Sequence, residues 1–198
     1  MKKAITLALL LAGCAAAPSE EDLTARTLKV MQASFKEHGQ AKLDRLDQDE
    51  TQRACSTANP SRESVARVEK VNSAALRYPV DGKLTGDWRE GEKIAQSGVG
   101  KQFSDDPKRP SGANCYACHQ LSKQEISFGT IGPSLYNYGK TRGASEAVQR
   151  YTYGKIYNPQ AFTACSNMPR FGHNGILTEQ QVKHLVGLLL DPASPVNQ

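Results

Sequence analysis

The side chains best suited to chemistry lie within five consecutive residues: Cys115, Cys118 and His119. Two thiols at this spacing can both reach reactive groups on one edge of a planar ring, and the adjacent imidazole is then presented beneath the ring. The pattern is typical of covalent haem attachment, in which the thiols form thioethers and the histidine ligates iron. The sequence therefore predicts one covalently bound haem c.

The same cysteine pair has two other chemical interpretations. A structural zinc site needs four ligands, usually from two such pairs, and Cys55 and Cys165 stand alone in the sequence. A thioredoxin-like redox pair lies at a strand-to-helix turn within a βαβ unit, and the sequence contains no βαβ pattern. Haem attachment is therefore the favoured interpretation.

A second axial iron ligand is expected in the segment 162–175, which lacks any periodicity. Met168 is the favoured candidate, because a thioether in a proline-bordered loop suits a small cytochrome and raises its reduction potential. His173 is the alternative, since methionine is more commonly a gap-filling core residue. His38 and His184 are expected on the surfaces of helices.

The N-terminus has the pattern of a secretion signal. Two lysines precede an apolar run over residues 4–12, which is too short to span a bilayer. The run closes with the residues Leu11 to Cys14, which resemble a bacterial lipobox. We therefore expect residues 1–13 to be a signal peptide and Cys14 to carry a lipid anchor. Ordinary cleavage after Ala17 is the alternative.

Composition and export narrow the location and the partners. The chain has 25 basic and 20 acidic side chains, and removal of the two lysines of the signal leaves a small positive charge. This balance gives no indication of nucleic-acid binding. We expect a periplasmic protein that contacts a membrane only through its lipid anchor.

Export also bears on the two remaining cysteines. With two cysteines assigned to haem and one to the signal, Cys55 and Cys165 are left over. In an oxidising compartment such a pair is most simply bridged by a disulfide. A free Cys165, or one paired with a partner protein, is the alternative.

The elements that must position these residues are predicted to be helical. Residues 14–80 form a polar anchor and helical extension, with Leu28, Met31 and Phe35 on one helical face; a flexible tether is the alternative. Residues 81–198 form a second domain, and the segment around His119 is expected to be a short helix.

Three further helices are predicted within this second domain. Asp87 and Glu90 can form a capping box for the first, and residues 145–157 form the second, closed by Asn158 and Pro159. Thr178 and Gln181 can cap the last, whose apolar residues recur at helical spacing. The chain is therefore predicted to be all-α, with a cofactor at the centre of the second domain.

Several segments from Asn114 onward resemble the SoxX family, the monohaem cytochrome subunits of the bacterial thiosulfate-oxidising (Sox) system. The similar segments are Asn114–His119, Gly129–Leu135, Tyr153–Asn158, Cys165–Gly175 and Leu177–Glu179. The resemblance implies a class I cytochrome c fold, with an N-terminal extension here, and iron ligation by His119 and Met168. Class I cytochromes also place a proline where Pro133 lies, and its carbonyl accepts a hydrogen bond from the ligating histidine.

The resemblance also implies a function and partners. The chain is expected to form a heterodimer with a SoxA-type cytochrome and to accept electrons when thiosulfate is coupled to a cysteine of the carrier protein SoxY. It is then the non-catalytic electron-transfer subunit of the L-cysteine S-thiosulfotransferase complex SoxAX. Tyr116, Ala117 and the Met168 loop are the expected contact surface for the partner and the electron acceptor. The alternative is an independent periplasmic class I cytochrome c; a peroxidase-like enzyme is disfavoured because Met168 closes the iron.

Overall fold

The computed structural model describes residues 17–198, so the predicted signal peptide (residues 1–13) and the predicted lipid anchor Cys14 lie outside the described residues. The helices of the described part are α1 (Glu20–Ser34), α2 (Glu50–Cys55), α3 (Arg62–Ala74), α4 (Trp88–Gln96), α5 (Tyr138–Arg142), α6 (Glu146–Tyr157) and α7 (Glu179–Leu190). Short 3-10 turns cover Leu43–Leu46, Cys115–Ala117, Pro159–Ala161 and Pro195–Asn197. Within residues 17–198, strand-like pairing is limited to one isolated bridge between His38 and Ala41. The prediction of an all-α fold is confirmed.

Helix α1 belongs to a compact unit that ends at Lys36, whereas residues 37–198 form the other. The Ser19 side chain begins α1 by accepting a hydrogen bond from the Asp22 N–H at 3.1 Å. The helix ends before Phe35, whose backbone is extended, so the predicted apolar face of this helix loses its last member. No helix within residues 17–198 is long and apolar enough to cross a membrane.

The centre of the larger unit is the crossing of α4 and α7. The α7 helix buries the apolar face that its periodicity predicts, and both bonds of its capping box between Thr178 and Gln181 are present. The two helices approach closely because glycines lie at the crossing. A methyl group on Gly91 would lie 2.2 Å from the His184 carbonyl oxygen, and one on Gly187 would lie 2.2 Å from the Gly86 oxygen.

The start of α4 differs from the prediction. Asp87 caps the helix by accepting from the Arg89 N–H at 2.8 Å, but Glu90 does not complete a capping box. Its carboxylate instead accepts from the Lys93 ammonium at 2.7 Å, one turn along the exposed face. Such an ion pair satisfies the carboxylate without the backbone amide of Asp87. That amide donates to His184, which binds the two helices together.

The segment between α4 and α7 contains one helix that the sequence predicted and one that it did not. Helix α6 begins after its cap Ser145 and ends before Asn158, as predicted. Helix α5 was not predicted; it follows Asn137, which has the left-handed φ of 58°. The segment 162–175 is irregular, as expected.

Helices α2 and α3 contact the chain before and within the segment that contains Met168. Helix α3 contacts the Pro159–Ala161 turn, and Cys55 is joined to Cys165 by a disulfide with a Cα–Cα distance of 5.2 Å. The structure therefore contains the bridge that the cysteine inventory predicted. The division of the chain at residue 80 into extension and second domain stays a prediction.

We expect the disulfide to contribute strongly to stability, because it closes a loop with a sequence separation of 110. A double Cys55→Ala, Cys165→Ala variant should lose about 4 kcal/mol of unfolding free energy on the chain-entropy model. Chemical denaturation of the two proteins measures this difference. Peptide mapping of the unreduced protein should recover the two cysteines in one cross-linked fragment, and free thiols at both positions would contradict the bridge.

Candidate functional site

The Cys-X-X-Cys-His segment is a tight turn, not a helix. Asn114 enters it with a left-handed φ of 45°, and a 3-10 turn follows over Cys115–Ala117. The carbonyl oxygen of Cys115 accepts from two amides, that of Cys118 at 3.1 Å and that of His119 at 2.9 Å. His119 therefore lies beyond the turn, so the predicted short helix around it is wrong. The close spacing of the three residues is fixed by the shared carbonyl.

The imidazole of His119 is oriented by one hydrogen bond. Its Nδ1 lies 2.7 Å from the carbonyl oxygen of Pro133. A carbonyl can only accept, so Nδ1 carries the proton of this bond, and in the neutral imidazole Nε2 then keeps its lone pair. This tautomer is the one a metal-ligating histidine needs, because the bond on one nitrogen fixes the ring and frees the other.

The loop that supplies this carbonyl is fastened to the cysteine turn by its backbone. The Gly129 N–H donates to the Tyr116 carbonyl at 2.8 Å, and the Gly132 N–H donates to the Cys118 carbonyl at 2.9 Å. Glycine is required at position 132, because a methyl group there would lie 2.2 Å from Cε1 of His119. The backbone thus lies directly against the imidazole.

The two thiols are those of unpaired, half-buried cysteines. Burial and the neighbouring Cys118 raise the pKa of the Cys115 thiol to about 12. A reactive redox pair needs a lowered pKa, so the site is unlike that of a thioredoxin. Across residues 17–198 no group of three or more His, Cys, Asp or Glu side chains is arranged to hold a metal ion. Both thiols are unpaired and are therefore available to form thioethers.

Met168 lies on the irregular segment and is half-buried. It packs against the same buried apolar cluster as Cys115, so the cluster links the favoured second ligand to the cysteine turn. The Met168 N–H donates to the Ser166 hydroxyl at 3.3 Å, and the Gln160 side chain donates to the Ser166 carbonyl at 3.0 Å.

The other three histidines differ in exposure and in their contacts, which bear on whether they could ligate iron. The His173 side chain is exposed, and desolvation together with Arg170 lowers the pKa of its imidazole. His184, predicted at the surface, is half-buried in α7, where its Nδ1 accepts from the Asp87 N–H at 2.9 Å. His38, predicted on a helix, lies in the bridged turn and packs on the Phe103 ring at 4.7 Å.

The predicted contact surface needs one correction. Tyr116 is only 7% exposed, because its ring packs into the apolar cluster, whereas Ala117 is exposed. The loop that approaches the cysteine turn instead presents apolar side chains to solvent, with Ile126 fully exposed and Ile131 72% exposed. The sequence of an irregular loop has no hydrophobic periodicity, so its exposed residues could not be predicted.

The donor set fits a covalently bound haem. Cys115 and Cys118 have the spacing needed for haem attachment, and both are unpaired. The His119 imidazole has its Nε2 available, and Gly132 leaves room for this imidazole. Cys115 and Cys118 would hold the haem and His119 would ligate its iron, with Pro133 orienting the imidazole. The sequence predicted these four residues, but Gly132 was found only from its contact with His119.

Comparison with known proteins agrees with this chemistry. Residues 99–191 match the family model of cytochrome c. The chain is also 40% identical over 157 residues to an uncharacterized lipoprotein of Aquifex aeolicus (strain VF5). The aligned residues cover 76% of this chain and 73% of that protein. The family match implies a covalently bound haem c and a role in electron transfer. With its helical fold and its Cys-X-X-Cys-His turn, the chain contains a cytochrome c domain over residues 99–191.

Proposed function

We propose that this cytochrome is the electron-transfer subunit of a SoxAX-type thiosulfate-oxidising complex. In this role it carries one haem c, pairs with a second c-type cytochrome of the SoxA type and accepts electrons when thiosulfate is coupled to a carrier-protein cysteine. The sulfur chemistry itself belongs to the partner. The alternative is an independent electron carrier with the same haem site and no catalytic partner.

The observation that carries the proposal is the state of the two candidate axial ligands. His119 has its Nδ1 bonded to Pro133 at 2.7 Å, which leaves Nε2 for iron. Met168 is half-buried on the cluster shared with Cys115, whereas its rival His173 is exposed. Ligation by His119 and Met168 leaves no position for a substrate. Such a site favours transfer of single electrons over catalysis at the metal.

The residues of this chain then have distinct tasks. When bound, haem c supplies a one-electron iron couple. Cys115 and Cys118 hold it, Pro133 fixes the plane of the His119 imidazole, and the thioether of Met168 raises the reduction potential. Apolar side chains at Ile126 and Ile131, beside the cysteine turn, give a surface against which a partner cytochrome could dock.

The assignment to a Sox complex depends on the sequence around the second ligand. A generic cytochrome c shares the cysteine motif, a Gly-Pro turn and a methionine, but the run Cys165–Gly175 resembles SoxX over its whole length. In the structure this run includes the disulfide to Cys55 and the buried Arg170. The run is therefore distinctive both in sequence and in its contacts.

The proposed anchor depends on separate observations. The segment Leu11 to Cys14 resembles a lipobox, and the relative from Aquifex aeolicus is described as a lipoprotein. We infer that Cys14 carries the lipid in this chain also. In the sequence, helix α1 follows this anchor and precedes the cytochrome c domain.

Replacement of Met168 by alanine tests the ligand assignment. The oxidised protein should show the weak far-red charge-transfer band of a sulfur–iron bond, and Met168→Ala should abolish the band and lower the reduction potential. Absorption spectroscopy and potentiometry provide the two readouts. His173→Ala is the matched control and should leave both unchanged. Loss of the band in His173→Ala but not in Met168→Ala would reverse the assignment.

Purification from the native host tests the partner. We expect a second c-type cytochrome to co-purify with this chain, and the pair to reduce this haem when thiosulfate and the carrier protein are added. The isolated chain should be redox-active yet unable to couple thiosulfate to the carrier cysteine, because its iron has no open position. Recovery of the chain alone from lysate and membrane would favour the independent carrier.

Intact mass spectrometry of the mature protein tests the anchor and the number of haems together. We expect a chain that begins at Cys14 and carries one haem and a diacylglycerol group. Cys14→Ser should remove the lipid and release the protein from the membrane without changing the haem spectrum. A mature chain that begins at Pro18 would instead indicate ordinary cleavage.

A further inference from the structure

The loop that carries Met168 cannot fix its own conformation. Residues 162–175 form no helix, and several of their backbone bonds span only two or three residues. An iron ligand must be held in place to compete with water or small external ligands. Tyr157 and Gln160, just before the loop, make hydrogen bonds to it. Further contacts come from a distant part of the sequence, residues 49–73, which we call the clasp.

The strongest polar contact of the clasp joins Asp49 to Arg170, two residues beyond Met168. The Arg170 side chain is only 8% exposed, and its guanidinium lies 2.5 Å from the Asp49 carboxylate. Desolvation raises the pKa of Asp49, but the Gln52 N–H and the Arg170 guanidinium outweigh it and hold the pKa below its ordinary value. A buried guanidinium that lost its partner would be strongly destabilised.

Two further contacts hold the loop on the other side of Met168. Cys55, at the end of α2, is bonded to Cys165, whose φ of 57° is left-handed. The Glu69 carboxylate of α3 accepts from the backbone N–H of Ala164 at 3.2 Å. The clasp therefore contacts the loop on both sides of Met168, at Ala164 and Cys165 before it and at Arg170 after it.

A buried amide pair fixes the chain at the end of α6, four residues before the loop begins. The Asn158 side chain donates to the Asn72 side-chain oxygen at 2.9 Å, and both residues are at most 1% exposed. Asn72 in turn donates to the Thr51 hydroxyl at 2.8 Å, so α2 and α3 are joined to each other as well as to the end of α6. Buried hydrogen-bonded networks of this kind are costly to break.

We propose that the clasp is a positioning device that holds Met168 on the iron and thereby sets the stability of the sixth ligand bond. The proposal rests on the ligand assignment made above. It gives residues 49–73, which lie outside the part of the chain that matches the cytochrome c model, a defined task at the haem. Asp49, Glu69 and Asn72 act through the loop and do not touch the iron.

The proposal has a measurable consequence in ligand competition. An external base such as imidazole binds oxidised haem only when it displaces Met168. Its apparent affinity is therefore proportional to the fraction of molecules in which the methionine is not bound to the iron. Any change that weakens the contacts between the clasp and the loop should raise the apparent affinity for imidazole, even when the fold and the haem attachment are intact.

Asp49→Asn is the variant that tests this. Asparagine can still cap α2 through the Gln52 N–H, but it removes the charge opposite Arg170. Glu50→Gln is the matched control: it removes the same charge from the adjacent residue, whose pair with Arg67 is exposed. We expect Asp49→Asn to raise the apparent affinity for imidazole about tenfold and to weaken the far-red band, and Glu50→Gln to change neither.

Equal imidazole affinities for Asp49→Asn, Glu50→Gln and the unmodified protein would overturn the proposal. If Asp49→Asn does not fold, the double Cys55→Ala, Cys165→Ala variant replaces it and should raise the affinity in the same direction. All measurements use the isolated holoprotein, so they are independent of any Sox partner. Loss of the band in Met168→Ala, with an unchanged affinity in both clasp variants, would leave the ligand assignment intact and reject the clasp alone.

Discussion

The hydrogen bond from His119 Nδ1 to the Pro133 carbonyl is the constraint on which the haem site depends. It selects the tautomer, fixes the plane of the imidazole and leaves Nε2 as the only nitrogen that can bind a metal. The bond requires the 129–133 loop to lie against the cysteine turn, and two backbone bonds hold it there. Because a side chain at position 132 would collide with the ring, this contact also dictates a glycine.

The two sides of the iron are built differently. On the His119 side, the bonds that orient the imidazole and hold the 129–133 loop against the cysteine turn join residues 13 or 14 positions apart, so this part of the site is specified by local sequence. On the Met168 side, the loop also has partners 95 and 121 positions away, at Glu69 and Asp49. Loop closure over such distances costs entropy, which the disulfide offsets by restricting the unfolded chain.

Sequence patterns were sufficient where one segment carries its own signal. The haem motif, the face and capping box of α7, the limits of α6 and the pairing of Cys55 with Cys165 could all be predicted. The patterns failed where a side chain has two competing partners, as for Glu90, which pairs with Lys93 instead of capping α4. They also failed for His184, because its burial comes from the α4–α7 crossing and not from its own helix. Arg170 gave no signal of burial, since its partner Asp49 is remote in sequence.

Haem attachment and the strength of the sixth ligand bond therefore depend on different parts of the chain. Haem attachment and ligation by His119 need only the turn and the 129–133 loop, so they can persist while the opposite loop changes. On the proposal made above, the strength of the Met168–iron bond depends on α2, α3 and the disulfide, which contact the loop but lie outside the haem motif. Substitutions in residues 49–73 can therefore alter the sixth ligand, and with it the reduction potential, without disturbing the covalent attachment of the haem. On this proposal, a segment that never contacts the haem iron adjusts the reduction potential through the position of Met168.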